Sequence, residues 1–283
     1  MAKEVKDILQ LIKKASLSDK RKQVAKYISD NCIEAAFLTA AELARRSSVS
    51  EPTVIRLAAA LGYSGFPAMR NALQDKVQSK LSTLNRLTES HRLRSSKSPA
   101  IRSLLTDMKN LEETLHSLDV RTLNDVVDKL VNADKVIIIG YKMSRSLAQF
   151  LQMALKKTID NTVAVTAGGG LFEEELVFAT PSSVAIAISF PRYTNMVVQH
   201  LCMARKRNVT TVAITDSELS PLVECAKYRL LARCSLVSYI DSFAAAMSLL
   251  CAISTAVSIK GQSITRPRLE ELEALWEESG VFF

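Results

Sequence analysis

The stretch TAAELARRSSVSEPTVIRLAAALGYSGF, residues 39–66, sets two short apolar faces on either side of a break. Ala41, Leu43 and Ala44 supply the first face. Ser47-Ser48-Val49 interrupts it, with Val49 as the apolar plug of a turn. Ser50 stands where an N-cap is needed, and Pro52 is tolerated in the first turn that follows. Val54, Leu57, Ala58 and Leu61 then recur at helical spacing, and Gly62 stops the run. Two short helices around a tight turn predict a helix-turn-helix over 40–59, whose second helix would enter the major groove N-terminus first. The outward positions of that helix are Ser50, Glu51, Thr53 and Arg56. Thr53 and Arg56 are expected to reach base edges or phosphates. Ser50 and the free helix-end amides suit a phosphate, and Arg45 and Arg46 suit the DNA backbone.

The charge distribution supports a polyanionic partner for this end of the chain. The protein has 283 residues and a net charge of +8. Residues 1–100 carry 18 Lys+Arg against 9 Asp+Glu, a balance of +9, and the remainder carries 19 against 20. A basic first third joined to a near-neutral remainder implies a division of labour along the chain. The hydrophobic set is 48% and charged residues are 23%, which excludes a disordered or collagen-like chain. Five cysteines without C-x-x-C spacing predict neither a disulfide framework nor a zinc site, and a cytoplasmic location. The N-terminus lacks the apolar core of a signal peptide. The uncharged stretch Phe243–Ile259 is short for a bilayer span and reads as a buried helix.

From Lys135 onward the pattern changes. KVIIIG (135–140), TVAVT (162–166), SVAIAIS (183–189), VTTVAIT (209–215) and YRLLA (228–232) are short β-branched runs. Helical stretches near 144–158, 171–179, 194–207 and 220–226 separate them. Strands alternating with helices predict a parallel five-stranded sheet covered on both faces. Ligands of such sheets sit at the carboxyl ends of the strands. Four strand ends here carry hydroxyls or glycines: 140–144, 166–170, 189–194 and 215–217. Together they suit an anion. GYKMSRSLA matches G-x-G-x-x-G poorly, with Lys142 and Arg145 in place of two glycines, which disfavours a dinucleotide. No catalytic constellation is evident. His91, His116 and His200 are scattered, and a lone histidine is usually structural. Glu173-Glu174-Glu175 could include an isomerase-like base, but reads more simply as a helix first turn. No acidic cluster has a metal-ligand pattern.

The segment AELARRSSVSEPTVIRLAAALGYSGF closely resembles the DNA-binding domain of RpiR-type bacterial transcriptional regulators. The family pattern S-x-x-T-V-x-R, then L-G and G-F, corresponds to Ser50, Thr53-Val54, Arg56, Leu61-Gly62 and Gly65-Phe66. Pro52 stands where a small residue is common. The resemblance implies a sugar isomerase (SIS) domain after a helical connector. DKVIIIGYKMSRSLAQFLQMAL is similar to its opening strand and helix, with Gly140 and Ser144 in the family's glycine and serine places. Ser220-Pro221-Leu222 is similar to its S-P-L step. The family's phosphosugar loop, S-x-S-G-x-T, is altered here to Ser189-Phe190-Pro191-Arg192-Tyr193-Thr194. Proline removes an amide and Arg192 replaces glycine where backbone approaches the ligand. A guanidinium there could grip a carboxylate or phosphate, or pair with Glu173, Glu174 or Glu175 and close the pocket.

The expectation is therefore an all-α helix-turn-helix domain followed by an α/β, SIS/Rossmann-like domain with a parallel five-stranded sheet. The boundaries are 1–87 for the DNA-binding domain, 88–133 for linker and connector helices, and 134–283 for the sensing and dimerisation domain. The expected partners are operator DNA, a small anionic metabolite and further copies of the chain as a homodimer or homotetramer. No membrane, cofactor or metal is expected. The ligand residues are Lys142, Ser144, Ser189, Arg192, Thr194 and Thr215. The apolar face Ala246, Leu249, Leu250, Ile253 and Val257 is the expected glue between copies. A sugar-phosphate isomerase and an interaction module with a vestigial pocket are the rival readings.

Overall fold

The structure, a computed structural model, describes residues 8–36, 38–78, 84, 86–87, 98–235 and 239–282. Most of the Ser-rich segment expected as a linker, with His91, lies outside them. The chain divides into two compact units, Met1–Glu89 and Ser90–Phe283.

The first unit is helical: α1 (Ile8–Lys14), α2 (Asp19–Asp30), α3 (Cys32–Ala35), α4 (Ala40–Arg46), α5 (Glu51–Ala60) and α6 (Phe66–Gln78). Its core gathers Val24 and Ile28 from α2, Leu43 from α4, Val54 and Leu57 from α5, and Met69 and Leu73 from α6. Leu43, Ala44, Val54, Leu57, Ala58 and Leu61 are buried as their spacing predicts, whereas Ala41, expected on the first apolar face, is exposed. Thr39 caps α4 through a reciprocal capping box with Glu42. The backbone bond to Thr39 comes first among the causes that hold the Glu42 carboxyl below its usual pKa. The turn after α4 places Ser48 in the left-handed region, at φ 54°. At the far end of α5, Gly62 at φ 88° lets Tyr63 N–H reach Ala58 O and Gly62 N–H reach Ala59 O. That is the Schellman stop, and the Leu61-Gly62 pair is its sequence sign.

The second unit opens with two helices, α7 (Pro99–Ser117) and α8 (Val120–Val131). It continues as β1 (Val136–Ile139), α9 (Ser144–Leu155), β2 (Thr162–Val165), α10 (Leu171–Val177) and β3 (Val184–Ile188). Then come α11 (Asn195–Lys206), β4 (Thr210–Thr215), a 3-10 turn at Val223–Cys225 and β5 (Tyr228–Leu231). The long helices α12 (Ala244–Lys260) and α13 (Gln262–Glu278) close it. All five strands are parallel, in the order β2-β1-β3-β4-β5. Alternate residues of each strand serve opposite layers, as a period of two requires. Val136, Ile138, Val184, Ile186, Val212 and Ile214 pack under α8, α9 and α12. Ile137, Ile139, Ala185, Ala187 and Ala213 pack under α10 and α11.

Two expectations change. Ala246, Leu249, Leu250, Ile253 and Val257 are buried within this layer, so the face of α12 expected to join copies is core instead. The other side of α12, with Cys251, Ala252 and Ile259, is exposed. Cys202 and Cys225 are joined as a disulfide, with Cα atoms 4.9 Å apart. The crossover through β4 brings α11 and the 3-10 turn together, which a separation of 23 residues does not advertise. Among the described residues, no single helix is long and apolar enough to cross a membrane.

Candidate functional site

The helix-turn-helix presents its outer face as the spacing predicts. Ser50, Glu51, Pro52, Arg56 and Arg45 are exposed and Thr53 is half-buried, while Val54, Leu57 and Ala58 are buried. Ser50 occupies the N-cap of α5, but its hydroxyl contacts Thr53 Oγ1 at 3.0 Å instead of capping an amide. Pro52 has no N–H and the Thr53 N–H donates to Ser50 O at 2.9 Å, so the first turn of α5 offers few amides to a phosphate. Arg46 is exposed but tethered, its Nη2 lying 3.2 Å from Glu34 Oε1. The other oxygen of Glu34 accepts from Tyr27 Oη at 2.9 Å. Ile55, which the helical spacing left unremarked, is 47% exposed beside Arg56. An aliphatic side chain there is chemically suited to a thymine methyl group.

The α/β unit builds a second site where its topology reverses. Strands β1 and β3 are neighbours, yet the chain leaves β1 toward β2 on one side and β3 toward β4 on the other. In open α/β sheets such a switch point is where ligands sit, at the carboxyl edge between the loops that follow the two strands. The β1 loop is Gly140–Met143, ahead of the buried Ser144 that starts α9. A Cβ on Gly140 would lie 2.6 Å from Ser144 O and 2.9 Å from Ala148 Cβ, so glycine allows the strand end to meet the helix. Lys142, exposed, takes φ 53°.

The β3 loop runs from Ser189 to Thr194. Arg192 adopts φ 69°, the conformation glycine would favour at this place. Phe190 and Pro191 are buried, with Phe190 against Phe243 at a ring distance of 5.3 Å. Tyr193 Oη donates to Asp216 Oδ1 at 2.8 Å, fastening this loop to the end of β4. Thr194 begins α11 without a side-chain cap of its own, and its amide donates to Ser189 Oγ at 3.4 Å. Thr215 is fully buried and donates to Ser220 Oγ at 2.8 Å, which braces the β4 loop from within. Lys142, Ser144, Ser189, Arg192, Thr194 and Thr215 thus stand at the ends of three adjacent strands. Two of these positions, Lys142 and Arg192, hold cations on left-handed backbone. Non-glycine residues there cost of order 1–3 kcal/mol each, and such strain gathers at ligand sites.

Behind the β1 loop lies a cluster that a lone-histidine reading overlooks. His200 Nδ1 is 3.1 Å from Tyr141 Oη, and its Nε2 is 3.4 Å from Glu173 Oε1. Phe172 stacks on the imidazole at 4.1 Å. Burial is the largest influence on His200 and lowers its pKa, outweighing the attraction of Glu173. Burial, then Glu173, raises the Tyr141 phenol. Glu175 pairs with the buried Lys135 at 2.6 Å. The available signal was positional: Val197, His200, Leu201 and Ala204 share one helical face, and three of them are plainly core. Arg145 also donates to Thr166 O at 3.2 Å, tying α9 to the end of β2.

Residues 6–80 match the helix-turn-helix domain of the rpiR family, and residues 129–256 match the SIS domain. A Haemophilus influenzae HTH-type transcriptional regulator is 27% identical over 215 residues, covering 75% of this chain and 74% of the relative. The HTH-type transcriptional regulator HexR of Pseudomonas aeruginosa is 25% identical, covering 78% of this chain and 77% of the relative. Among solved structures, the sugar isomerase domain of an RpiR transcription factor from Sphaerobacter thermophilus superposes with a TM-score of 0.59 at 26% identity. That match covers 62% of this chain and 98% of the other. The Vibrio vulnificus NanR protein, complexed with ManNAc-6P, has a TM-score of 0.57 at 20% identity, over 95% of this chain and 98% of its own. With its helix-turn-helix unit followed by a five-stranded SIS unit, the chain belongs to the RpiR family of transcriptional regulators.

Proposed function

We propose that this regulator binds a small anionic metabolite, a sugar phosphate or related acid, at the carboxyl edge between the β1 and β3 loops, and that binding alters its hold on operator DNA. The carrying observation is the pair of cations, Lys142 and Arg192, on left-handed backbone at a topological switch point. Ser144, Ser189 and Thr194 add hydroxyls, and Thr215 braces the site. The phosphosugar in the NanR complex supports the ligand class. Arg192 in the glycine position of the loop argues for an acid held by a two-pronged guanidinium contact. In the first unit, Arg56, Thr53 and Glu51 read base edges, while Ser50, Arg45 and Arg46 hold the backbone. The DNA-binding domain follows residues 1–87 and the sensing domain residues 134–283, with the connector 88–133 contributing α7 and α8 to the second unit, and the chain works in the cytoplasm as a homodimer or homotetramer. It performs no turnover. His200 and Glu173, the only acid–base pair near the site among the described residues, engage each other and Tyr141 beneath Phe172.

Thermal shift against a panel of sugar phosphates and sugar acids tests this directly. A ligand at a hundred times its Kd adds about 2.7 kcal/mol of stability, a clear rise in Tm. A panel that leaves Tm unchanged, for native protein and Arg192→Gly alike, would reject the sensing role.

A further inference from the structure

The first helix of the SIS unit is amphipathic the wrong way round. Along α7, the side that faces the rest of the unit is polar. Asn110 and Thr114 are buried. Asn110 Oδ1 accepts from Ser235 N–H at 3.1 Å, and Thr114 Oγ1 accepts from Arg233 N–H at 2.9 Å. Asp107, on the same side, accepts from Ser242 Oγ. The opposite side is aliphatic. Ile101, Leu104, Leu105, Met108, Leu111 and Leu115 are exposed by 43% (Leu105) to 70% (Leu115). A soluble helix ordinarily does the reverse.

The spacing of this stripe says what covers it. Positions 101, 104, 108, 111 and 115 advance by three and four in turn, the seam of a helix pair that buries a narrow apolar line. The stripe is also balanced about Met108, with Ile101 seven residues before it and Leu115 seven after. A balanced seam is complementary to its own copy run antiparallel, as a two-fold interface requires. The six side chains expose on the order of 600 Å² of apolar surface, at the top of the range for any patch on a monomer and near the ~800 Å² per partner of a standard interface.

We infer that α7 is the self-association surface: two copies of the chain pair antiparallel along α7, crossing at Met108, with Ile101 of one copy beside Leu115 of the other. The inference rests on the self-association proposed above, and on neither the ligand nor the operator. It replaces the face of α12 expected to join copies, which is already core.

Full-length protein in sedimentation velocity at micromolar concentration decides it, with three outcomes. The expected one is a native dimer or tetramer and a Met108→Glu variant that associates at least about thirtyfold more weakly, as loss of a central contact does. Met108 is exposed, so the variant's far-ultraviolet circular dichroism should remain native. A native monomer would overturn both the self-association and this surface. A native oligomer that Met108→Glu leaves intact would overturn only the surface. The geometry has its own check. Met108→Cys in a Cys251→Ser background should form covalent dimers with a short bis-maleimide linker, while Cys251→Ser alone should not. Equal yields from the two would overturn the antiparallel crossing.

Discussion

Tyr141 and His200 lie 59 residues apart in sequence, yet their polar atoms are 3.1 Å apart, so the loop after β1 rests on an imidazole supplied by α11. That contact ties the β1 loop to a titratable group. The folded protein holds His200 below its ordinary pKa of 6.5 because burial disfavours the imidazolium more than Glu173 favours it. The unfolded chain therefore takes up this proton first as the pH falls.

The consequence for stability has a definite sign. The contribution of His200 is complete above about pH 6.5 and is lost as the pH falls from there toward the lowered folded value. Urea midpoints measured from pH 7.5 to 5.5 should decline, and His200→Leu should flatten the decline. An unchanged slope in the variant would assign the pH dependence to other groups.

Gly140 offers a test of the close strand–helix approach. Gly140→Ala would drive a methyl group against Ser144 O and Ala148 Cβ, so either the strand end or α9 must shift. The expected cost is about 1–3 kcal/mol by chemical denaturation, as for other overpacked sites. A neutral substitution would mean that the β1 loop is not fixed at this contact.

Arg192 tests the ligand class. If its guanidinium holds the anionic group, Arg192→Ala should leave ligand-free operator affinity nearly unchanged. It should weaken the effector response by roughly 1.5–3 kcal/mol, about ten- to a hundredfold. Arg192→Gly should do the same while relieving the left-handed strain, and should admit phosphosugars that the native loop rejects. A native effector midpoint in Arg192→Ala, read by fluorescence anisotropy, would remove Arg192 from the site.

Much of this architecture was legible because it rests on short-range rules. The helix-turn-helix follows from Val54, Leu57 and Leu61 at helical spacing and from the Leu61-Gly62 stop. The five strands follow from β-branched runs, but their order, β2-β1-β3-β4-β5, does not, because parallel crossover connections leave the switch point open. What stayed hidden depends on contacts remote in sequence. No local pattern joins Cys202 to Cys225, Tyr193 to Asp216, or His200 to both Tyr141 and Glu173. The direction of an amphipathic face was hidden for the same reason. Sequence shows that α7 and α12 have apolar stripes, but only packing shows that the stripe of α12 turns inward and that of α7 outward. The positive φ of Arg192 is an intermediate case, since a glycine position in the family loop hinted at it.

The packing role of α5 is separable from its reading role. Leu57 is fully buried in the first unit, so Leu57→Ala should destabilise that unit by about 2–5 kcal/mol. Thermal melts of full-length protein should show the first unit unfolding earlier while the SIS unit holds its native transition. Loss of both transitions together would mean that the two units do not unfold independently.

Arg56 carries the central claim, because it is exposed on the outer face of α5 while the residues around it hold the fold. The most direct test is selection of genomic DNA fragments by full-length protein at physiological salt, run in parallel with Arg56→Ala. The native protein should enrich one sequence with two-fold related half-sites. The variant, still folded, should bind that sequence about 1–3 kcal/mol more weakly and relax its preference at one base pair in each half-site. Enrichment of no sequence by the native protein, or an identical sequence and affinity from Arg56→Ala, would contradict the account.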